Sequence, residues 1–242
     1  LMKINYSKAY FDLKTSVLPS ANYNGVQWKL ETKLKSGMIK YQADDNKKIS
    51  TYLLPVKVNK SSVLKGFFYN GTKLESVVTE KFHFNKATGK KITLTKAASP
   101  NYPGDGAFTL VNGVINEKGL GKSREFLGFS GDDCEVEIDL GNITDVKNVI
   151  VHGLTEKGSW IYPHKNIELK ISNDGENFND VSFDVATEIV GNQHLRTSLI
   201  LKDEKTTTRY LKITIRNYGT IPSGMAGAGH KAWLFVDEIE VN

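Results

Sequence analysis

Two stretches of this sequence place aromatic rings and imidazoles where a loop would present them. Gly158-Ser-Trp-Ile-Tyr-Pro-His164 carries Trp160, Tyr162 and His164. Asn217-Tyr-Gly-Thr-Ile-Pro-Ser-Gly-Met-Ala-Gly-Ala-Gly-His-Lys231 carries Tyr218 and His230 among glycines. An aromatic ring covers the apolar face of a ligand, and phenol and imidazole groups hydrogen-bond to polar groups around it. The chemistry on offer is recognition. Other aromatic and basic residues read as structural. Trp160 would also serve as a core plug, and Trp233 lies in an alternating run that reads as core. His152 follows an apolar run and reads as a satisfied core or edge histidine. Arg209 begins a strand and is expected to pair with a carboxylate.

Acid–base chemistry has less to stand on. Glycoside hydrolysis takes two carboxyl groups held about 5–10 Å apart across the bond. Asp237-Glu238 is an adjacent pair, but it lies in an alternating strand, where neighbours face opposite sides. Asp132-Asp133 reads as a turn before a strand. The sequence has no Gly-x-Ser-x-Gly elbow, His-Glu-x-x-His pair, phosphate loop or Cys/His cluster. It also lacks the β/α repeats of a barrel. No catalytic centre is expected. The single cysteine, Cys134, takes an inward strand position and reads as a small buried hydrophobe.

The elements that must position these loops are strands. From Cys134 to Leu140 apolar and acidic residues alternate without a break, which predicts a strand with one buried and one wet face. Gly141-Asn142 is expected to end it. Ile167–Ser172 and Tyr210–Arg216 repeat the rhythm, and 146–154 and 232–241 add two more strands. Between them, 97–124 and 217–231 are long Gly- and Pro-bearing loops, and loops of that length usually have a function. A polar stretch, 176–204, is expected to hold short strands. Upstream, Val26–Thr32, Met38–Ala43, Val56–Val58, 62–69 and 77–84 read as strands, with turns at Asp44-Asp45-Asn46 and Asn70-Gly71. About seven strands there suggest an immunoglobulin- or fibronectin-like sandwich. The polar run Asn85-Lys-Ala-Thr-Gly-Lys-Lys91 places a boundary near 86/87. The expected architecture is all-β: two tandem β-sandwich domains, 1–86 and 87–242.

At 242 residues, 39% hydrophobic and 24% charged, the chain has enough apolar content for a core in each half. No window reaches the roughly 18 apolar residues of a membrane span, so no membrane insertion is expected. No signal peptide is visible, so compartment is not read from targeting. The net charge of +5 is unevenly spread: residues 1–86 hold 15 basic and 6 acidic residues, residues 87–242 hold 17 and 21. The first-half positives are lysines set singly between apolar residues. That pattern suits a solvated face and argues against nucleic-acid binding.

The second half resembles the coagulation factor 5/8 type C, or discoidin-like, domain, known in carbohydrate enzymes as carbohydrate-binding module family 32. Leu110-Val-Asn-Gly113, Val136–Gly141, Ile171–Phe178, Arg209–Ile213 and Asp237–Val241 carry the resemblance. The first half resembles the small β-sandwich that follows the barrel in bacterial chitobiase-like β-hexosaminidases, through Ile39–Asp45, Ser62–Gly66 and the Asn70-Gly71 hairpin. Phe126–Asp133 and Ala228–Ile239 look like the same enzymes' tails. The resemblance implies a fibronectin-like sandwich followed by a discoidin-like jelly roll. Together they would form the non-catalytic C-terminal portion of a family 20 glycoside hydrolase. It implies binding of a terminal hexose or N-acetylhexosamine through Trp160, Tyr162, His164, Tyr218 and His230. A catalytic domain of the same polypeptide, a monomeric state and a bacterial periplasmic, cell-surface or secreted location are further implications. So is one structural calcium ion, with Asn112 and Glu238 as side-chain ligands and carbonyls around 110–116. Two positions depart from the family pattern: Asn112 replaces the usual Asp before Gly, and Phe126 replaces the Trp common before Leu-Gly-Phe.

Overall fold

The computed structural model describes residues 8–44, 48–191 and 193–242, the side chains of Lys8, Lys122 and Ser123 excepted. It divides into two compact units, Leu1–Phe84 and Asn85–Asn242. Asn85 and Lys86 therefore belong to the second unit, two residues ahead of the expected boundary.

The first unit holds β1 (Leu13–Pro19), β2 (Val26–Thr32), β3 (Met38–Ala43), β4 (Ser50–Thr51), β5 (Val56–Val58), β6 (Ser62–Asn70) and β7 (Lys73–Phe82). They form two antiparallel sheets, ordered β1-β2-β5 and β4-β3-β6-β7. Val26, Trp28 and Leu30 alternate inward on β2 and bury with Leu64, Phe68 and Phe82. Asp45 and Asn46 of the expected turn lie outside the described residues. Asp44 stands at φ 51° and its Oδ1 accepts the Val63 N–H at 3.0 Å.

The second unit holds β8 (Lys91–Leu94), β9 (Gly104–Ala107), β10 (Leu127–Ser130), β11 (Cys134–Asp145), β12 (Asn148–Leu154), β13 (Ile167–Ser172), β14 (Asn179–Asp180), β15 (Phe183–Val190), β16 (His194–Leu201), β17 (Thr207–Ile215) and β18 (Trp233–Val241). One five-stranded antiparallel sheet runs β10-β18-β12-β16-β15, the other β14-β13-β17-β11-β8. Cys134, Val136, Ile138 and Leu140 of β11 bury between the sheets, with Val149 and Val151 of β12, Leu211, Ile213 and Ile215 of β17 and Ile239 of β18. Burial pushes the Cys134 thiol far up, so it stays protonated and inert. The chain is all-β, as the alternation requires.

Three local expectations are corrected. β11 does not end at Gly141-Asn142 but runs to Asp145 through a register shift between Asp139 and Thr144, with Gly141 at φ 87°. Such an irregularity bends a strand without ending its pairing. The polar stretch holds a full hairpin of two eight-residue strands, β15 and β16, because an edge strand needs little apolar content. The segment 97–124 is folded into β9 and 3-10 turns at Phe108–Val111 and Gly119–Glu125.

Candidate functional site

The loop after β12 is tied to the start of β18 by backbone bonds. Trp233 N–H donates to Trp160 O at 2.9 Å, and Tyr162 N–H donates to Trp233 O at 3.2 Å. Trp160 ends a 3-10 turn at Lys157–Ser159 with φ 62°, in the left-handed region. A side chain there costs about 1–2 kcal/mol, so the turn and the strand hold it in place. The indole stacks on the His230 ring, with centroids 4.6 Å apart and planes at 18°. Trp160 keeps 36% of its surface open, and His230 is exposed.

The 217–231 loop is ordered from within. Ile221 and His230 pair through the backbone, Gly229 N–H donates to Ile221 O, and Ala232 N–H donates to Gly219 O. Ile221, Ala232 and Tyr162 are buried beneath it, with Tyr218 and Met225 packed against them. Gly227 meets Trp160 so closely that a Cβ there would lie 2.6 Å from Cδ1, at φ 81°. Only glycine fits both conditions. At the loop's root Arg216 bonds Glu168 through Nε and Nη2 and Asp133 through Nη1, each at 2.8 Å. The guanidinium holds the Glu168 carboxyl below its usual range. Asp133 also accepts the Asn217 N–H at 2.8 Å, which makes the acidic turn a loop clamp.

Four of the five expected contact residues therefore gather at one end of the sandwich, but not in one role. Trp160, His230 and part of Tyr218 reach the surface. Tyr162 is 1% exposed and donates its hydroxyl to Ala226 O at 2.9 Å. It supports the loop from below and is not a platform, a correction to the expectation. His164 also departs: its Nε2 meets Thr197 Oγ1 at 2.7 Å, and its Nδ1 is buried without a hydrogen-bond partner. Desolvation lowers its pKa. The proline-ended turn directs this ring inward, beside Tyr162, at a small cavity lined also by Val151 and Phe235.

The acidic pair on β18 is also rearranged. His152 pairs with Glu238 while Gly153 pairs with Val236, so Asp237 sits in a bulge. A bulge breaks alternation. Both carboxylates bury completely and both reach the 112–116 loop: Glu238 Oε2 accepts Gly113 N–H at 3.1 Å and Asp237 Oδ2 accepts Asn116 N–H at 2.8 Å. Burial pushes the Asp237 carboxyl up to about 8 and Glu238 well above its usual range. Opposite faces are thus not what separates this pair from catalysis; complete burial under a loop is. The other carboxyl oxygens, Asp237 Oδ1 and Glu238 Oε1, have no hydrogen-bond partner. Asn112 turns its Oδ1 to the Val114 N–H at 2.7 Å, an Asx turn, with Gly113 at φ 79°. Among the described residues no three His, Cys, Asp or Glu side chains gather as a metal cluster.

The residues read as structural behave so. His152 bonds His194 at 3.0 Å and Glu240 at 2.7 Å. Arg209 makes a two-point pair with Asp139 at 2.8 and 3.0 Å. Trp233 and the fully buried Phe126 pack around Phe235. Sequence reading missed Gly227, the Arg216 clamp and the role of Asp237. Gly227 is one glycine among several in its loop, and a bulge leaves no sequence signal.

Two antiparallel sheets thus carry an ordered aromatic loop cluster at one end. The chain belongs to the F5/8 type C domain family, whose model matches residues 92–228. No curated protein sequence matches the chain. Among solved structures, a Streptococcus pneumoniae fucose binding module, SpX-3, is 17% identical, covering 65% of this chain and 96% of its own with a TM-score of 0.40. A Clostridium perfringens module, CpGH89CBM32-5, solved with GalNAc-β-1,3-galactose, is 17% identical over 62% and 93% with a TM-score of 0.38. A chitosan-binding module of a Paenibacillus sp. IK-5 chitosanase/glucanase is 17% identical over 66% and 99% with a TM-score of 0.39.

Proposed function

We propose that the second unit binds terminal hexose or N-acetylhexosamine units of glycans, as a non-catalytic accessory region of a β-N-acetylhexosaminidase-type glycoside hydrolase. The observation that carries this is the exposed Trp160–His230 stack, held rigid by a strained backbone and a glycine-dependent loop. A fixed indole offers a sugar's C–H face a partner at little entropic cost. The first unit, with its seven described strands in two sheets, fits a fibronectin-like spacer. The hydrolase parentage, the bacterial extracytoplasmic location and the catalytic partner rest on the resemblance of the sequence.

Affinity should be weak, about 0.1–1 mM, because few atoms are buried. Titration with N-acetylglucosamine and galactose, preceded by a glycan array, tests the reading. Trp160→Ala is expected to weaken binding about tenfold or more without changing the melting temperature by more than a few degrees. Binding that survives Trp160→Ala and Tyr218→Ala sinks the assignment to these loops.

The residues where β18 meets the 112–116 loop would suit a structural calcium ion in part. Two buried carboxylates with orphaned oxygens suit a hard cation that takes roughly 6–8 oxygen ligands. Glu238 would hold it, with Asp237 beside it and carbonyls of 110–116; Asn112 does not fit, since its oxygen is committed to its own turn. The ion would supply charge for two buried acids and fasten the loop to β18. Calcium should raise the melting temperature, chelator should lower it, and Glu238→Gln should abolish both responses. Chelator-insensitive melting excludes the ion.

A further inference from the structure

We infer that the chain self-associates through β15, joining two copies of its five-stranded sheet edge to edge across a two-fold axis. β15 ends its sheet, and no described strand pairs with its other side. Seven of its eight residues are exposed, including Val185 at 58%, Ile189 at 57% and Val190 at 49%. An edge this apolar is what soluble proteins usually avoid.

The backbone says which groups are free. Lys202 N–H donates to Ser182 O, while Leu201 N–H turns away to Lys147 O. Residues exchange ladder bonds with a neighbour at every second position. Ser182, Asp184, Ala186, Glu188 and Val190 therefore bond toward β16. Phe183, Val185, Thr187 and Ile189 point their N–H and C=O groups outward. Val185, Thr187 and Ile189 share the face of Leu199, Thr197 and Leu195, their partners across β16.

A second copy of the same strand is the occupant that this edge fits, and of the registers its outward groups allow, the one centred on Thr187 pairs the most of the strand. A two-fold centred on Ala186 would set Asp184 against Glu188 of the second copy. Centring on Glu188 would set that glutamate against itself. Centring on Thr187 sets Val185 against Ile189 and Ala186 against Glu188, with no like charges directly opposed. It also makes Thr187 and its symmetry mate an outward hydrogen-bonding pair, as the free groups require. The acids on the other face are already neutralised within the chain: Glu188 by Arg196 at 2.7 Å and Asp184 by Lys202 at 3.1 Å. Such a joint is small, so the dimer is weak and transient. Its use would be bivalency, since two linked weak sites can exceed either alone by orders of magnitude. This replaces the expected monomer and does not depend on what the loops bind.

Sedimentation equilibrium of the whole chain from about 10 μM to about 1 mM tests it. The average mass should rise from 26.9 kDa toward twice that. Val185→Pro deletes an outward N–H and should hold the mass at the monomer's, with melting little changed. The register makes a signed prediction: Ala186→Lys, opposite Glu188, should tighten the dimer severalfold, and Ala186→Glu should loosen it. A mass that stays monomeric at the top concentration overturns the inference. So does a dimer indifferent to Val185→Pro, or one that shifts the same way with both charges at 186.

Discussion

His164 is a residue whose burial makes it a pH sensor of stability. Desolvation depresses its folded pKa below its unfolded value near 6.5. The unfolded chain therefore binds the proton more readily. The stability this neutral ring provides is complete above about pH 6.5 and drains away as pH falls through that value toward the folded pKa. Asp237 and Glu238, whose carboxyl pKa values burial raises, stabilise the fold as pH falls and act in the opposite direction. His164 is therefore read by difference between pH 7 and 5: His164→Gln should remove a destabilisation on acidification of at most about 1.4 kcal/mol per pH unit for one group. Gly227 is the second diagnostic residue. Gly227→Ala adds a methyl 2.6 Å from the Trp160 ring, at a φ of 81°. The cost should be about 1–2 kcal/mol in denaturant titration. Glycan binding should weaken along with it, because the indole is displaced. A variant that binds normally would mean the platform tolerates movement.

At the scale of elements, the strands were legible in the sequence because one-sided burial writes a period of two. β2, β11, β13, β17 and β18 each fall within a few residues of their alternating runs. The recognition loops were legible as places and partly as roles: exposed aromatics and their buried supports look alike in sequence, so Tyr162 and Trp160 could not be sorted. What sorted them was the Ala226 carbonyl above one and the Gly227 turn beside the other. β15 was hidden because an edge strand needs no inward stripe. The β18 bulge was hidden because nothing in Val-Asp-Glu-Ile shows which residue is extra; its trace is a carboxylate pair brought under one loop. Arg216 links β13, β17 and the turn before β11, and it is the element-level test of the loop's rigidity. Its ion pairs are partly exposed, so each is worth no more than about 1 kcal/mol. Arg216→Ala should therefore cost about 1–2 kcal/mol in urea. It should also weaken glycan binding, as Asp133 loses its partner and releases the Asn217 N–H. Arg216→Lys should restore charge but not the two-point grip, and so recover stability more than affinity.

At the scale of the whole molecule the question is where one folding unit ends. The second unit has its own core between its own two sheets, which predicts that it folds alone. Its N-terminal edge is sharper than the polar run around it suggests. Asn85 N–H donates to Thr88 Oγ1 at 2.9 Å, and Asn85 Oδ1 accepts the N–H groups of Ala87 at 2.8 Å and Val241 at 3.2 Å. Lys86 N–H adds a bond to Val241 O at 2.9 Å. These bonds close the last strand against the first residues of the unit, and Asn85 is itself buried. A fragment beginning at Asn85 should unfold in one cooperative transition and bind glycan as the whole chain does. A fragment beginning at Ala87, two residues shorter, loses these four bonds together with Thr88 N–H to Asn85 O and Lys86 Nζ to Asp145 O, and leaves buried donors unmet. At about 0.5–1.5 kcal/mol for each bond its stability should fall by about 3 kcal/mol or more, and β18 should exchange its amide hydrogens faster at the Val241 end. Equal melting of the two fragments would mean that Asn85 belongs to the connection and not to the fold.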